Sequence, residues 1–226
     1  MDNKRRGAVF AFLVVEAALY YVVMAKSGTV VWVSQFSSVV LCFAFSLLGV
    51  KEKNCFIPLG LAFTVVADYF LVAHHPQLRL WGMLFFLGTQ CVYAVLLHKE
   101  NTGKGFLWFR AGLCTLSLVV CLGVLGSGAD ALAIVSLGYY ANLLTNILMA
   151  FCRFGKRRLF AVGLVLFLLC DTVVGLQVAG EGYLPIEEGS FLYRVIFPSF
   201  NLPWLFYLPS QVLIALSAVK ARKDYT

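Results

Sequence analysis

Apolar residues run for roughly 18 to 22 positions at a time, long enough to cross the hydrocarbon of a bilayer, and short polar or glycine-bearing stretches break the runs. The predicted spans are Gly7 to Ala25, Thr29 to Gly49, Phe56 to Ala73, Leu80 to His98, Phe106 to Gly126, Ala131 to Phe151, Leu159 to Ala179 and Pro203 to Val219. Breaks such as Lys51-Glu52-Lys53-Asn54 and Arg153 to Arg158 let the chain turn in water or at the interface, and only Gly180 to Leu202 is long. The pattern predicts an all-α polytopic membrane bundle of about eight transmembrane helices, forming one domain over residues 1–226.

Composition agrees. Hydrophobic residues make up 61% and charged residues 13%, with a mean hydropathy of +0.87; a soluble domain carries about twice that share of charge. The basic residues set the orientation. Lys4, Arg5, Arg6, Lys51, Lys53, Lys99, Lys104, Arg153, Lys156, Arg157, Arg158, Lys220, Arg222 and Lys223 fall on one side of the predicted membrane, against Lys26, Arg79 and Arg194 on the other. The positive-inside rule then places both termini in the cytoplasm, in a cell-membrane protein with an even number of spans. These clusters form no continuous basic face, so the net charge of +7 reads as a topology signal and excludes a nucleic-acid partner. The Lys4-Arg5-Arg6 start resembles a secretion signal, but the run after it is long, contains Glu16 and lacks a small-residue cleavage site, which makes it a retained first helix.

Seven cysteines, mostly inside apolar runs and without a C-x-x-C pair, indicate neither a disulfide framework nor a zinc site. His74 and His75 lie at the outer end of the third span and His98 at the inner end of the fourth, where solvated interfacial roles are expected; they cannot converge on a metal, and no cofactor is expected. The chain carries no GxSxG elbow and no phosphate-binding glycine loop.

Two aspartates lie in the middle of spans. Asp68 and Asp171 each stand twelve residues past Phe56 and Leu159, about 18 Å into a core of about 30 Å. An aspartate there costs about 2.5 to 3.5 kcal/mol on insertion scales, so both should face the bundle interior. Glu16, Tyr20, Gln35, Ser38, Gln90, Tyr93, Tyr139, Asn142, Asn146, Tyr207 and Gln211 add polar groups near that level, three or four residues apart within each helix. That spacing gives one polar face per helix and predicts a shared polar interior. Such groups also serve as interhelical glue, and Glu16 has a ready alternative partner in Arg110, which lies inside the fifth span. Gly60-Leu61 before Asp68 recurs with the same spacing as Gly163-Leu164 before Asp171, which suggests two four-helix repeats.

The chain resembles the lysoplasmalogenase (YhhN) family of eight-helix membrane proteins. The likeness rests on Leu61 to Leu71 with Ala67-Asp68-Tyr69-Phe70-Leu71, on Gly82 to Tyr93, on Gly163 to Leu176 around Phe167 to Asp171, and on Ser210-Gln211-Val212-Leu213-Ile214. The family commonly has Gly-Asp and Ser-Asp where this chain has Ala67-Asp68 and Cys170-Asp171, and a histidine is usual where Gln90 stands. The resemblance implies hydrolysis of the vinyl ether bond of a lysoplasmalogen, a lysophospholipid, to a fatty aldehyde and a glycerophospho-alcohol. Asp68 and Asp171 would then be catalytic, and Tyr93, Gln90, Tyr139, Asn142, Tyr207, Gln211 and Glu16 would bind substrate. The residues alone leave open a proton-coupled transporter using the same carboxylates, and a non-catalytic lipid-binding protein.

Overall fold

The computed structural model describes residues 3–52, 55–72, 78–100, 104–126, 129–182 and 186–220. Nine helices are described: α1 (Asn3–Ala25), α2 (Thr29–Ser46), α3 (Phe56–Val72), α4 (Arg79–Glu100), α5 (Gly105–Leu125), α6 (Ala131–Phe151), α7 (Phe154–Gly182), α8 (Phe191–Ile196) and α9 (Leu202–Lys220), with a 3-10 turn at Leu47–Glu52 closing α2. Seven of them are long and apolar enough to cross a membrane; α3 is the shorter eighth. Its 17 residues reach about 26 Å, the low end of what hydrocarbon requires. The last residue of the predicted third span, Ala73, and both His74 and His75 lie outside the described residues.

Helix ends follow local chemistry. Asp130 caps α6, its carboxylate accepting from the Ala133 amide at 2.8 Å. Gly126 ends α5 with φ 53°, a backbone that a side chain would strain. The basic stretch Arg153 to Arg158, expected as a break, holds a turn at Cys152–Arg153 and a kink at the non-helical Arg157, after which the long span of α7 runs on from beside the predicted start, Leu159. Because Pro209 of α9 has no N–H, the Leu205 carbonyl one turn earlier loses its usual partner. The Tyr20 hydroxyl donates to it at 3.5 Å, docking α1 on α9.

The helices close into a ring in the order α2, α3, α4, α6, α7, α9, with α1 lying against α2 and α9 and α5 resting on α6. The neighbour relations of α1 to α4 recur in α5, α6, α7 and α9, and the halves meet through α4 with α6 and through α9 with α2. The two four-helix repeats suggested by the glycine spacing are therefore present in the packing. Within each half, glycines let neighbouring helices pack closely. Gly60 of α3 accommodates the Tyr93 ring of α4, and Gly163 of α7 lies against Ser210 and Ile214 of α9. Large apolar side chains such as Phe10 and Trp108 point outward, as lipid contact demands.

Within the long Gly180 to Leu202 segment, Ser190 caps the short α8 through the Tyr193 amide, and the Gln177 amide donates to the Ile196 carbonyl at 2.8 Å. Ile196 is buried, whereas Phe191, Leu192 and Val195 are exposed. This short helix is pinned to α7 with an apolar face outward, a fit to the membrane interface.

Candidate functional site

Asp68 on α3 is 3% exposed, and its carboxylate accepts from the Tyr207 hydroxyl of α9 at 2.6 Å. Asp171 on α7 accepts from the Tyr139 hydroxyl of α6 in a short hydrogen bond. The two carboxylates are close enough to interact electrostatically, and the Cys170 thiol is buried near enough for both to act on it in the same way. Bonds from a neutral donor to a charged acceptor contribute about 1.5 to 3 kcal/mol, so the tyrosines offset much of the cost of holding acids in this environment.

Rings tie the two acid–tyrosine pairs into one cluster. Phe167 stands 5.4 Å from Tyr207 and 6.3 Å from Tyr139, while Phe86 of α4 lies 5.9 Å from Tyr139 and meets Tyr207 edge-on at 6.4 Å. Trp204 closes the far side of Tyr207 at 4.9 Å. Asp171 is the less buried of the acids, with Thr172 beside it bonded to Tyr140 at 2.8 Å. The centre is thus two carboxylates, two phenols and a wall of aromatic carbon, drawn from α3, α4, α6, α7 and α9.

The other predicted site residues fall into separate groups rather than one shared chamber. Asn146 of α6 donates from its amide to both the backbone carbonyl and the side-chain oxygen of Gln90, each at 2.9 Å. Arg110 of α5 donates to Asn142 at 2.6 Å and to Asn146 at 2.8 Å. Gln211 is fully buried beside Ser210, and Tyr93 packs edge-on against Phe160 at 5.0 Å. Glu16 does not pair with Arg110. Ser38 donates to it at 2.6 Å and the Cys42 thiol approaches at 3.4 Å, forming an α1–α2 cluster of its own. The two longer side chains stay with the neighbouring helix of their own half, which desolvates fewer groups than a pair spanning the bundle.

Sequence reasoning passed over Phe86 and Phe167, and a signal for Phe86 was present. Phe86-Leu87-Gly88-Thr89-Gln90 in α4 and Tyr207-Leu208-Pro209-Ser210-Gln211 in α9 share one pattern of aromatic, leucine, small hydroxyl and glutamine. It extends the repeat from the aspartate helices to their partners. Among the described residues no three His, Cys, Asp or Glu side chains could hold a metal ion together.

A helical membrane protein built from two like halves, with an acid on the third helix of each, is the class this fold and site define. The chain matches the model of the YhhN family over residues 30–218, a stretch that includes both aspartates and both tyrosines, and it belongs to that family. No curated protein and no solved structure matches it.

Proposed function

We propose that this YhhN-family protein is a membrane hydrolase that cleaves the vinyl ether bond of a lysoplasmalogen, and that Asp68 and Asp171 carry the reaction. The observation behind this reading is the single aromatic-walled cluster in which both acids are held by tyrosine hydroxyls. Two carboxyls in one apolar-walled site can divide the roles of acid and anion between them, and this reaction needs both.

The acid transfers its proton to the alkene carbon remote from oxygen, giving an oxocarbenium ion that the neighbouring carboxylate stabilises. Water adds to the cationic carbon and passes a proton to a carboxylate, regenerating the acid. The resulting hemiacetal then collapses to a fatty aldehyde and the glycerophospho-alcohol. Tyr207 and Tyr139 hold the carboxylates in place. The rings of Phe86, Phe167 and Trp204 suit the alkenyl carbons. Both termini face the cytoplasm in this proposal, as the basic loops favour.

Asp68→Asn and Asp171→Asn are each expected to abolish aldehyde release from lysoplasmalogen, while the purified variants elute as monodisperse folded protein. Unchanged turnover in both variants would remove the basis for the proposal. Paired repeats with membrane carboxylates also suit a proton-coupled carrier. Asp68-dependent solute uptake into liposomes, without cleavage of any lipid, would establish that reading instead.

A further inference from the structure

Arg110 stands five residues beyond the start of α5, about 8 Å along the helix, yet every bond of its guanidinium goes to a neutral atom. Its two terminal nitrogens bond Asn142, Asn146 and the Met149 sulfur. Its Nε–H is buried without a partner. A second unpartnered buried nitrogen lies close by. His98, on the last turn of α4, has its Nε2 enclosed and unbonded, and it is near enough to Arg110 for their charges to interact. His98 is therefore half-buried and turned toward α5, not the solvated end that its position in the sequence suggested.

A cation at membrane depth normally pairs with an anion. Here the described protein supplies none to Arg110, and two neighbouring side chains each keep a buried nitrogen unbonded. The Asn142 and Asn146 amides fix the guanidinium plane, leaving the Nε edge to a ligand with several acceptor oxygens. Lys99 and Lys104 border the same end of the two helices and add positive potential.

We infer that Arg110 and His98 form a binding site for a phosphate ester, the headgroup phosphate of a single-chain ether lipid. The inference rests on the hydrolase reading for its choice of lipid, and it assigns the phosphate end of that substrate. Asp68, twelve residues into α3, lies about 10 Å deeper than Arg110 by helix rise. The order of depths sets the substrate's direction, with phosphate toward the basic end and the ether bond deeper, toward the carboxylates. Asn146 links Arg110 to Gln90, so the hydrogen bonds of the basic site extend from α5 through α6 to α4.

The test uses the full chain in neutral maltoside micelles and two probes that cannot be cleaved, 1-O-hexadecylglycerol 3-phosphate and 1-O-hexadecylglycerol. Wild-type protein is expected to bind the phosphorylated probe about tenfold more tightly, equivalent to about 1.4 kcal/mol. Arg110→Gln is expected to erase that preference without changing affinity for the phosphate-free probe, and His98→Gln to reduce it. Equal binding of the two probes by wild-type protein overturns the site, and this comparison needs no variant to fold. Inorganic phosphate is the competing arm: displacement of the lipid by millimolar phosphate as effectively as by the phosphorylated probe overturns the headgroup assignment in favour of a free anion. Because both probes resist hydrolysis, failure here counts against the anion site alone, and absence of aldehyde from lysoplasmalogen counts against the hydrolase alone.

Discussion

Replacing Gly60 with alanine tests the packing that positions α3. An added Cβ would overlap the Tyr93 ring, 2.7 Å from Cζ and 2.9 Å from the hydroxyl oxygen, where carbon pairs rest at about 3.5 to 4.0 Å. The ring must retreat by about an ångström, and Phe160 blocks it from behind. Tyr93 is fully buried, so it has no exposed rotamer to escape into. Overpacking costs about 1 to 3 kcal/mol, and a rigid ring held between two helices belongs at the upper end of that range. Gly163→Ala is gentler: its Cβ would sit 2.8 Å from the Ile214 Cγ1 and 3.1 Å from the Ser210 carbonyl oxygen, and a side chain can yield part of that. Gly175 has nothing within 4 Å of such an atom, so alanine there gains about 0.5 to 1 kcal/mol of helix propensity. The expected order of thermal stability in detergent is Gly175→Ala, wild type, Gly163→Ala, Gly60→Ala. At about 2 to 4 °C per kcal/mol, Gly60→Ala should fall roughly 6 °C or more below wild type. Adding Tyr93→Leu should recover part of that loss, giving a coupling of about 0.5 to 3 kcal/mol. A Gly60→Ala protein as stable as Gly175→Ala, or a double variant whose loss is the sum of the singles, would refute the close contact of α3 with α4.

Tyr207→Phe keeps the ring against Phe167 and Trp204 but removes the donor to Asp68. Aldehyde release should fall roughly 10- to 150-fold, from the loss of about 1.5 to 3 kcal/mol, and the melting temperature by roughly 3 to 12 °C; full activity would show that the hydroxyl has no part in holding the acid. Glu16→Gln should leave turnover within severalfold of wild type, since Glu16 bonds only within the α1–α2 cluster; inactivation would place it in the reaction after all. Gln177→Ala removes the bond to the Ile196 carbonyl, so amide hydrogen exchange across Phe191–Ile196 should quicken while α7 stays protected, and unchanged exchange would mean that burial of Ile196 alone holds the segment.

The helices were legible because a bilayer imposes a length and an apolar composition, and the observed ends of α6 coincide with those predicted. Asp68 and Asp171 stood out because an ionisable group at that depth is expensive. Their surroundings were hidden for the converse reason. Lipid is as apolar as the bundle interior, so hydrophobicity does not separate the buried Phe86 and Phe167 from the exposed Phe10 and Phe109 among twenty phenylalanines. Nor did sequence choose partners for the polar groups. Glu16 and Arg110 were complementary in charge, yet each bonds its own neighbouring helix, because adjacency in the bundle and not charge decides which groups meet. His98 was placed by its position near a helix end, whereas packing leaves its Nε2 buried and unbonded.

Duplicated scaffolds make their two copies interchangeable until some position breaks the match. Here the break is one oxygen atom: where α9 presents Tyr207 to the acid of the opposite half, the matching place on α4 holds Phe86, which has no hydroxyl to give. Asp171 takes its phenol from within its own half, from Tyr139. Asp68 is thus tethered across the seam between the halves, so its hydrogen bond depends on the register of one half against the other. Asp171 rides with its own half as a fixed reference. Two acids of common layout thus differ in attachment, one bonded across the seam and one within its own half.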